Sequence, residues 1–268
     1  MAFKSPIGFA RALLEEKWIR AISESSHVGL HGLGHSGDIV GVVSLRFDTG
    51  TSMAEVVLPT ELQPIASLVR PGTMAFVSAS NGDLYVVLPS GAVFVKSQGR
   101  WQYQNFSAFQ TLLAEYVSPE FAKPILRLML DLSYSRSGAL FSIPANSSEV
   151  DELVPDHKHS QRANLALRAS VTGLSIHSPE HRRILLAAAA VDGALVISSS
   201  GTVLDVACMI GDPGEAALQR AGYSQLSRFP GARSTAAWNS SIFGLGIKVS
   251  EDGPISVFSS GQLVGQFG

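Results

Sequence analysis

SPEHRRILLAAAAVDGALVIS, residues 178–198, decides how the chain is read. Ser178-Pro179-Glu180 is a helix start, because a hydroxyl can accept from the first unpaired backbone N–H groups and a proline in the first turn has no N–H to lose. Leucines and alanines carry that helix to about Ala190. Asp192-Gly193 interrupts it, and Leu195-Val196-Ile197 then has the apolar, β-branched character of a buried strand. A helix that hands over directly to a buried strand is the repeating unit of an α/β sheet. Further strands are expected over Gly138–Pro144, Thr202–Val206 and Leu245–Val249. The fold class expected is therefore α/β, a mixed β-sheet covered by helices on both faces.

Upstream of this stretch, Phe109, Leu112, Leu113 and Tyr116, then Ile125, Leu128, Met129 and Leu132, keep apolar faces at helical spacing from Phe106 onward. The polar run Ala145–Gln161 reads as a loop. The first hundred residues have a different character. Ser5-Pro6, with Phe9, Leu13, Ile19 and Ile22, predicts a helix over 6–23. Asp38–Phe47 predicts a strand, and Asp83–Leu88 and Ala92–Val95 flank Pro89-Ser90-Gly91 as a hairpin would. Trp101 and Tyr103 are expected to close that module by packing on its sheet. The organisation is thus a smaller α+β module over 1–105 followed by the larger α/β domain over 106–268.

Composition narrows the function. Of 268 residues, 46% are hydrophobic and 16% charged, enough to bury a substantial core. Twenty basic and 22 acidic side chains give a formal net charge of −2 with no basic block, which argues against a nucleic-acid surface and for a small ligand. The lone Cys208 excludes an internal disulfide framework and fits a reducing compartment. The longest apolar run, Ile184–Val191, stops at Asp192, far short of the roughly 20 residues of a membrane span. A protein of the cytoplasm that contacts no membrane is expected.

Three short segments carry the chemistry. Asp192-Gly193-Ala194 places an acid beside a residue with no side chain, so that a ligand could approach the backbone. Gly231-Ala232-Arg233-Ser234-Thr235 places one cation and two hydroxyls after a tight turn. Val249-Ser250-Glu251-Asp252-Gly253 places a second hard oxygen donor at the end of a strand. The residues alone allow a plainer account of the acids: Asp192 capping neighbouring backbone, and Ser250–Gly253 forming an ordinary hairpin turn with Glu251 in solvent.

In this order, AAVDGALVISSSGTVLDVACMIG, PGARSTAAW and IKVSEDGPISVFSSGQLV resemble the diadenylate cyclase family, whose members join two ATP molecules into cyclic di-AMP. The resemblance covers roughly residues 106–268, and the first half resembles, much more faintly, the sensor modules that often precede such domains. It implies that Asp192, with Gly193 and Ala194, works at the metal and the attacking hydroxyl. It implies that Glu251, beside Ser250, helps hold Mg²⁺ or Mn²⁺, that the 231–235 segment grips phosphates, and that two copies of the chain meet to complete the reaction.

The chain departs from the family at three places. The family has Arg-His-Arg or Arg-His where this chain has Arg233-Ser234-Thr235, it has His where this chain has Val191, and its spacer before the serine-glutamate pair is longer. Hydroxyls do not replace a fork of charged donors, so the departure leaves open a nucleotide-binding protein of this fold that has lost turnover. Arg228 and Lys248 are the cations that could compensate.

Other motifs lack context. Gly32-Leu33-Gly34-His35-Ser36-Gly37 matches a dinucleotide-binding pattern but is expected to follow a helix and precede a strand, the reverse of the required order. His27, His31 and His35 share a spacing of four, yet the glycines among them make a helix improbable. His157, His159, His177 and His181 are expected at exposed positions.

Overall fold

The computed structural model describes residues 2–8, 11, 15–18, 21, 28–33, 36–44, 57–79, 82–155 and 164–268. The chain divides into two compact units, Met1–Asn105 and Phe106–Gly268.

In the first unit, β1 (Ala2–Gly8), β2 (Val28–Leu33) and β3 (Asp38–Ser44) form an antiparallel sheet in the order β1-β3-β2. The helix expected from Pro6 therefore does not begin there: Ser5 and Pro6 lie in β1. Proline is tolerated because β1 is an edge strand, and its pairing with β3 is irregular between Ala2 and Ile7. Much of the remaining 9–23 stretch lies outside the described residues. The glycine-rich segment, expected as a loop between a helix and a strand, instead has Gly32 and Leu33 in β2, paired with Ile39 and Asp38 of β3; His31 also lies in β2, while His27, Gly34 and His35 fall outside the described residues.

A short helix, α1 (Gln63–Ala66), then precedes an antiparallel meander of β4 (Ala75–Ser78), β5 (Leu84–Val87), β6 (Val93–Ser97) and β7 (Arg100–Gln104). Strand alternation buries Tyr85, Val87, Val93 and Val95 and turns Phe76 and Phe94 outward. Trp101 and Tyr103 do not cap this sheet. They belong to its edge strand β7 and are 51% and 57% exposed, with Tyr103 5.3 Å from the Phe94 ring.

The second unit opens with α2 (Phe106–Ala114) and α3 (Pro119–Tyr134). Ser118 caps α3 by accepting from the Phe121 N–H at 3.2 Å, and Pro119 occupies the first turn. Strand β8 (Ala139–Pro144) follows, buried throughout. Part of the expected loop is helical. A 3₁₀ turn at Ser147–Glu149 leads into α4 (Val150–Leu153), started by a reciprocal cap between Asn146 and Glu149. His157 and His159 lie outside the described residues. Helices α5 (Leu165–Val171) and α6 (Arg182–Ala189) come next, the latter beginning two residues after Glu180. Then follow β9 (Ala194–Ile197), β10 (Val203–Cys208), α7 (Glu215–Arg220), α8 (Ala232–Ser241), β11 (Gly244–Val249), β12 (Ile255–Ser259) and β13 (Gln262–Phe267).

The six strands stand in the order β10-β9-β8-β11-β12-β13. Only β8 and β9 are parallel and every other pair is antiparallel, so the sheet is mixed and the class is α/β. On one face Leu140, Ala194, Val196 and Cys208 pack with Val150 and Leu153 of α4, Ala217 and Leu218 of α7, and Ala237 and Trp238 of α8. Cys208 is a small buried thiol there. Helices α3 and α6 pack against the sheet and each other, joined by an ion pair between Asp131 and Arg182.

Helix α8 lies unusually close to the sheet at Gly246. A Cβ at that position would fall 2.7 Å from the Ala237 carbonyl carbon, and nearer still to its oxygen. Trp238 then reaches across to donate from Nε1 to the Gly261 carbonyl at 2.7 Å.

Candidate functional site

Strand directions bring the three segments to one end of the large sheet. Strands β8 and β9 run parallel with Phe141 opposite Leu195, so Asp192, two residues before β9, and Gly138, just before β8, lie at the same end of the sheet. Strand β11 runs the other way, with Val249 opposite Ala139, so Ser250 and Glu251 leave the sheet at the same end.

On the β9 side, Asp192 is exposed and its Oδ1 accepts the N–H of its own neighbour Gly193 at 3.1 Å. Gly193 has φ 107°, a value that favours glycine, and a Cβ there would fall 2.6 Å from the backbone carbon of Ala207. Ala207 is itself in the left-handed region, φ 51°, where the β9–β10 pairing shifts register. A bulge in β10 thus presses its backbone against Gly193, and Ala194 enters the buried strand directly afterwards.

On the β11 side the groups hold one another. Gly231, φ 94°, turns the chain into α8, and its carbonyl accepts the N–H groups of Ser234 and Thr235 at 3.2 and 3.3 Å. Ala232 starts the helix. Arg233 donates from Nη1 to Glu251 Oε1 at 2.7 Å, so Glu251, although 69% exposed, is not merely solvated. Gly138 makes room for this pair, since a Cβ there would fall 2.8 Å from Glu251 Cγ and closer still to the Arg233 guanidinium. Thr235 Oγ1 accepts the Phe229 N–H at 3.1 Å and lies 3.3 Å from the Phe229 carbonyl, clamping the turn before α8. Ser234 Oγ accepts from Lys248 Nζ at 3.0 Å.

The turn after β11 is braced from below. The Gly253 N–H donates to the Ser250 carbonyl at 3.0 Å, and the Ser133 hydroxyl at the end of α3 donates to the Gly253 carbonyl at 2.5 Å. The Ser250 hydroxyl, and more weakly its own amide and the cations Lys248 and Arg136, hold the Asp252 carboxyl below its ordinary range.

Arg228 is already engaged. It forms a two-pronged pair with Asp212, at 2.7 and 3.2 Å, and Asn239 of α8 donates to the same carboxylate at 3.0 Å and to the Gly211 carbonyl at 3.1 Å. The Arg228 hydrogen bond chiefly, with help from Asn239, lowers the Asp212 pKa. Sequence reasoning missed Asp212 and Asn239. No local pattern signalled them: Asn239 follows Trp238 in α8, and its burial against Asp212 comes from the tertiary fold.

The donors suit a hard divalent ion. Mg²⁺ and Mn²⁺ are commonly held by one or two carboxylates together with substrate phosphates, and Asp192 and Glu251 supply two. Among the described residues no three His, Cys, Asp or Glu side chains cluster to hold an ion unaided. Glu251 is engaged by Arg233.

No family model matches the chain, and no curated protein matches it. Among solved structures, one described as the crystal structure of a hypothetical membrane spanning protein from Bacillus cereus is similar at 18% identity, with a TM-score of 0.41, over 60% of this chain and 69% of that one. Among the described residues no helix of this chain is long and apolar enough to cross a membrane.

Proposed function

We propose that residues 106–268 form a diadenylate-cyclase-like domain that binds ATP at the Asp192–Gly138–Glu251 end of its sheet and condenses two ATP molecules into cyclic di-AMP. The observation that supports the reading is that the first and third segments lie at the same end of the sheet and that Arg233 of the second meets Glu251 of the third over Gly138. In each of two equivalent steps a ribose 3′-oxygen bonds to the α-phosphorus of the facing nucleotide, the bond to the bridging oxygen breaks and pyrophosphate leaves. Bound Mg²⁺ or Mn²⁺ would offset the negative charge that grows on the phosphate oxygens.

The side chains take the remaining roles. Asp192 orients the attacking hydroxyl and accepts its proton. Arg233 turns from Glu251 to the phosphates, which frees the Glu251 carboxylate. Gly193 and Gly231 let the nucleotide approach backbone. The nucleotides must face each other, so a homo-oligomer that joins two such sheet ends about a two-fold axis completes the centre. The reading makes the protein cytoplasmic, with nucleotide partners and neither nucleic acid nor membrane.

Incubating purified protein with ATP and Mn²⁺ tests this. Cyclic di-AMP and pyrophosphate are expected from the wild type and not from Asp192→Asn, and absence of product across metals and protein concentrations would remove the enzyme. A second reading is favoured by the Arg233–Glu251 pair and the uncharged Ser234 and Thr235: a regulatory protein that binds ATP or cyclic di-AMP without turnover. Calorimetric binding with no product would select it.

A further inference from the structure

We propose that Lys248 is the cation that grips the ligand's β- and γ-phosphates in this site, so that the site discriminates nucleoside triphosphates from monophosphates. The inference rests on the reading that this sheet end binds an adenine nucleotide.

Three of the other basic or hydroxyl groups nearby are spoken for. Arg233 is held by Glu251, Arg228 by Asp212, and the Thr235 hydroxyl by the Phe229 backbone. Lys248 differs. Its Nζ is 3.0 Å from the Ser234 hydroxyl, a neutral partner, and among the described residues it makes no ion pair.

Its position reinforces the point. Lys248 is the only charged residue of β11, and its neighbours Ile247 and Val249 are fully buried. It pairs with Leu140 across β8 and shares a sheet face with Gly246, the face that carries α8. A half-buried ammonium in such a strand is costly where an apolar residue would pack; the Asp252 carboxylate, which feels Lys248 without forming an ion pair with it, offsets part of that cost, and an anion in direct contact would offset more. Partial burial also strengthens its attraction for that anion above what a surface lysine would exert. Its hydrogen bond to Ser234, in the first turn of α8 beside Arg233, holds the ammonium near the start of that helix. A triphosphate seated there would meet Lys248 from the sheet and Arg233 from the helix. A monophosphate would be too short to engage both cations.

Calorimetric titration of the full chain with ATP and with AMP, both with Mn²⁺, tests the proposal. The wild type is expected to prefer ATP, Lys248→Met to lose at least about tenfold in ATP affinity with AMP affinity little changed, and Lys248→Arg to keep most of the preference. Ser234→Asp is the companion variant, because an acid is welcome in the first turn of a helix and does not threaten folding. It would give Lys248 a carboxylate partner and should produce the same loss. If the wild type binds ATP and both Lys248→Met and Ser234→Asp bind it equally well, Lys248 has no such role while the nucleotide reading stands. If the wild type binds neither nucleotide, the nucleotide reading falls and this proposal with it.

Discussion

The two flanks of Gly138 are built on opposite terms. On the β9 flank a single acid, Asp192, stands exposed with only its neighbour's N–H against it, fixed by a glycine that cannot be replaced without moving β10. On the β11 flank charges and hydroxyls are committed to one another: Arg233 to Glu251, Ser234 to Lys248, Thr235 to the Phe229 backbone. The first flank presents an acid with little to hold it, and the second holds its charges in pairs. Under the proposed nucleotide reading that difference teaches where discrimination would reside, because only a ligand with enough negative charge would offset breaking the Arg233–Glu251 contact.

The largest expected effect falls on the exposed acid. Asp192→Asn keeps the volume and the contact to Gly193 but removes the charge and the proton acceptor, so turnover should fall by about 10²–10⁴ with the melting temperature unchanged. Product formation followed alongside a thermal melt checks it, and a large loss of stability would mean that Asp192 is only a structural cap.

Next is the β11 flank's dependence on close packing. Gly246→Ala should destabilise the second unit by about 1–3 kcal/mol, because the added methyl meets Ala237 backbone and not a movable side chain. Urea titration should show the lower midpoint, and ATP affinity should fall with it as α8 and Arg233 are displaced. A variant that stays stable would break the claim that this helix is set by the missing side chain.

Glu251→Gln separates the flanks more finely. The pair it removes is exposed, so stability should change by less than about 1 kcal/mol. The freed Arg233 should bind ATP at least as tightly without Mn²⁺, while metal-dependent turnover is lost. Weaker ATP binding in metal-free buffer would show that Glu251 supports Arg233 and does not restrain it.

The smallest effect is on acid stability. The Asp212 carboxyl is held below its ordinary 3.8 by Arg228, so the pair's contribution is complete above that value and is lost as pH falls through the lower folded value. Asp212→Asn should therefore be less stable than wild type at neutral pH, with the gap closing below about pH 4. Parallel melts at several pH values measure it, and a gap that widens in acid would contradict the assigned sign.

The second unit's elements were legible because its helices and strands obey their own periods. The handover from α6 through Asp192-Gly193 to β9, the strand at 139–144 and the helices from Phe106 all follow local pattern. The N-terminal stretch misled because Ser5-Pro6 carries the same local signal at a helix start as in an edge strand, and only the pairing of β1 with β3 decides between them. The 147–153 turn and helix were hidden by polar composition, although Asn146 and Glu149 hold the spacing of a reciprocal cap. At the candidate site, residue types were visible but partners were not. Nothing local reveals that β11 runs antiparallel to β8, and so nothing local foretells that Arg233 meets Glu251 or that Lys248 reaches Ser234.

A crystal structure with Mn²⁺ and a non-hydrolysable ATP analogue tests the central claim most directly. The account predicts an anomalous manganese peak between Asp192 and Glu251, with the Arg233–Glu251 contact broken and the triphosphate against Arg233 and Lys248. Nucleotide bound elsewhere, with Arg233 still on Glu251 and no ion between the two acids, would contradict it.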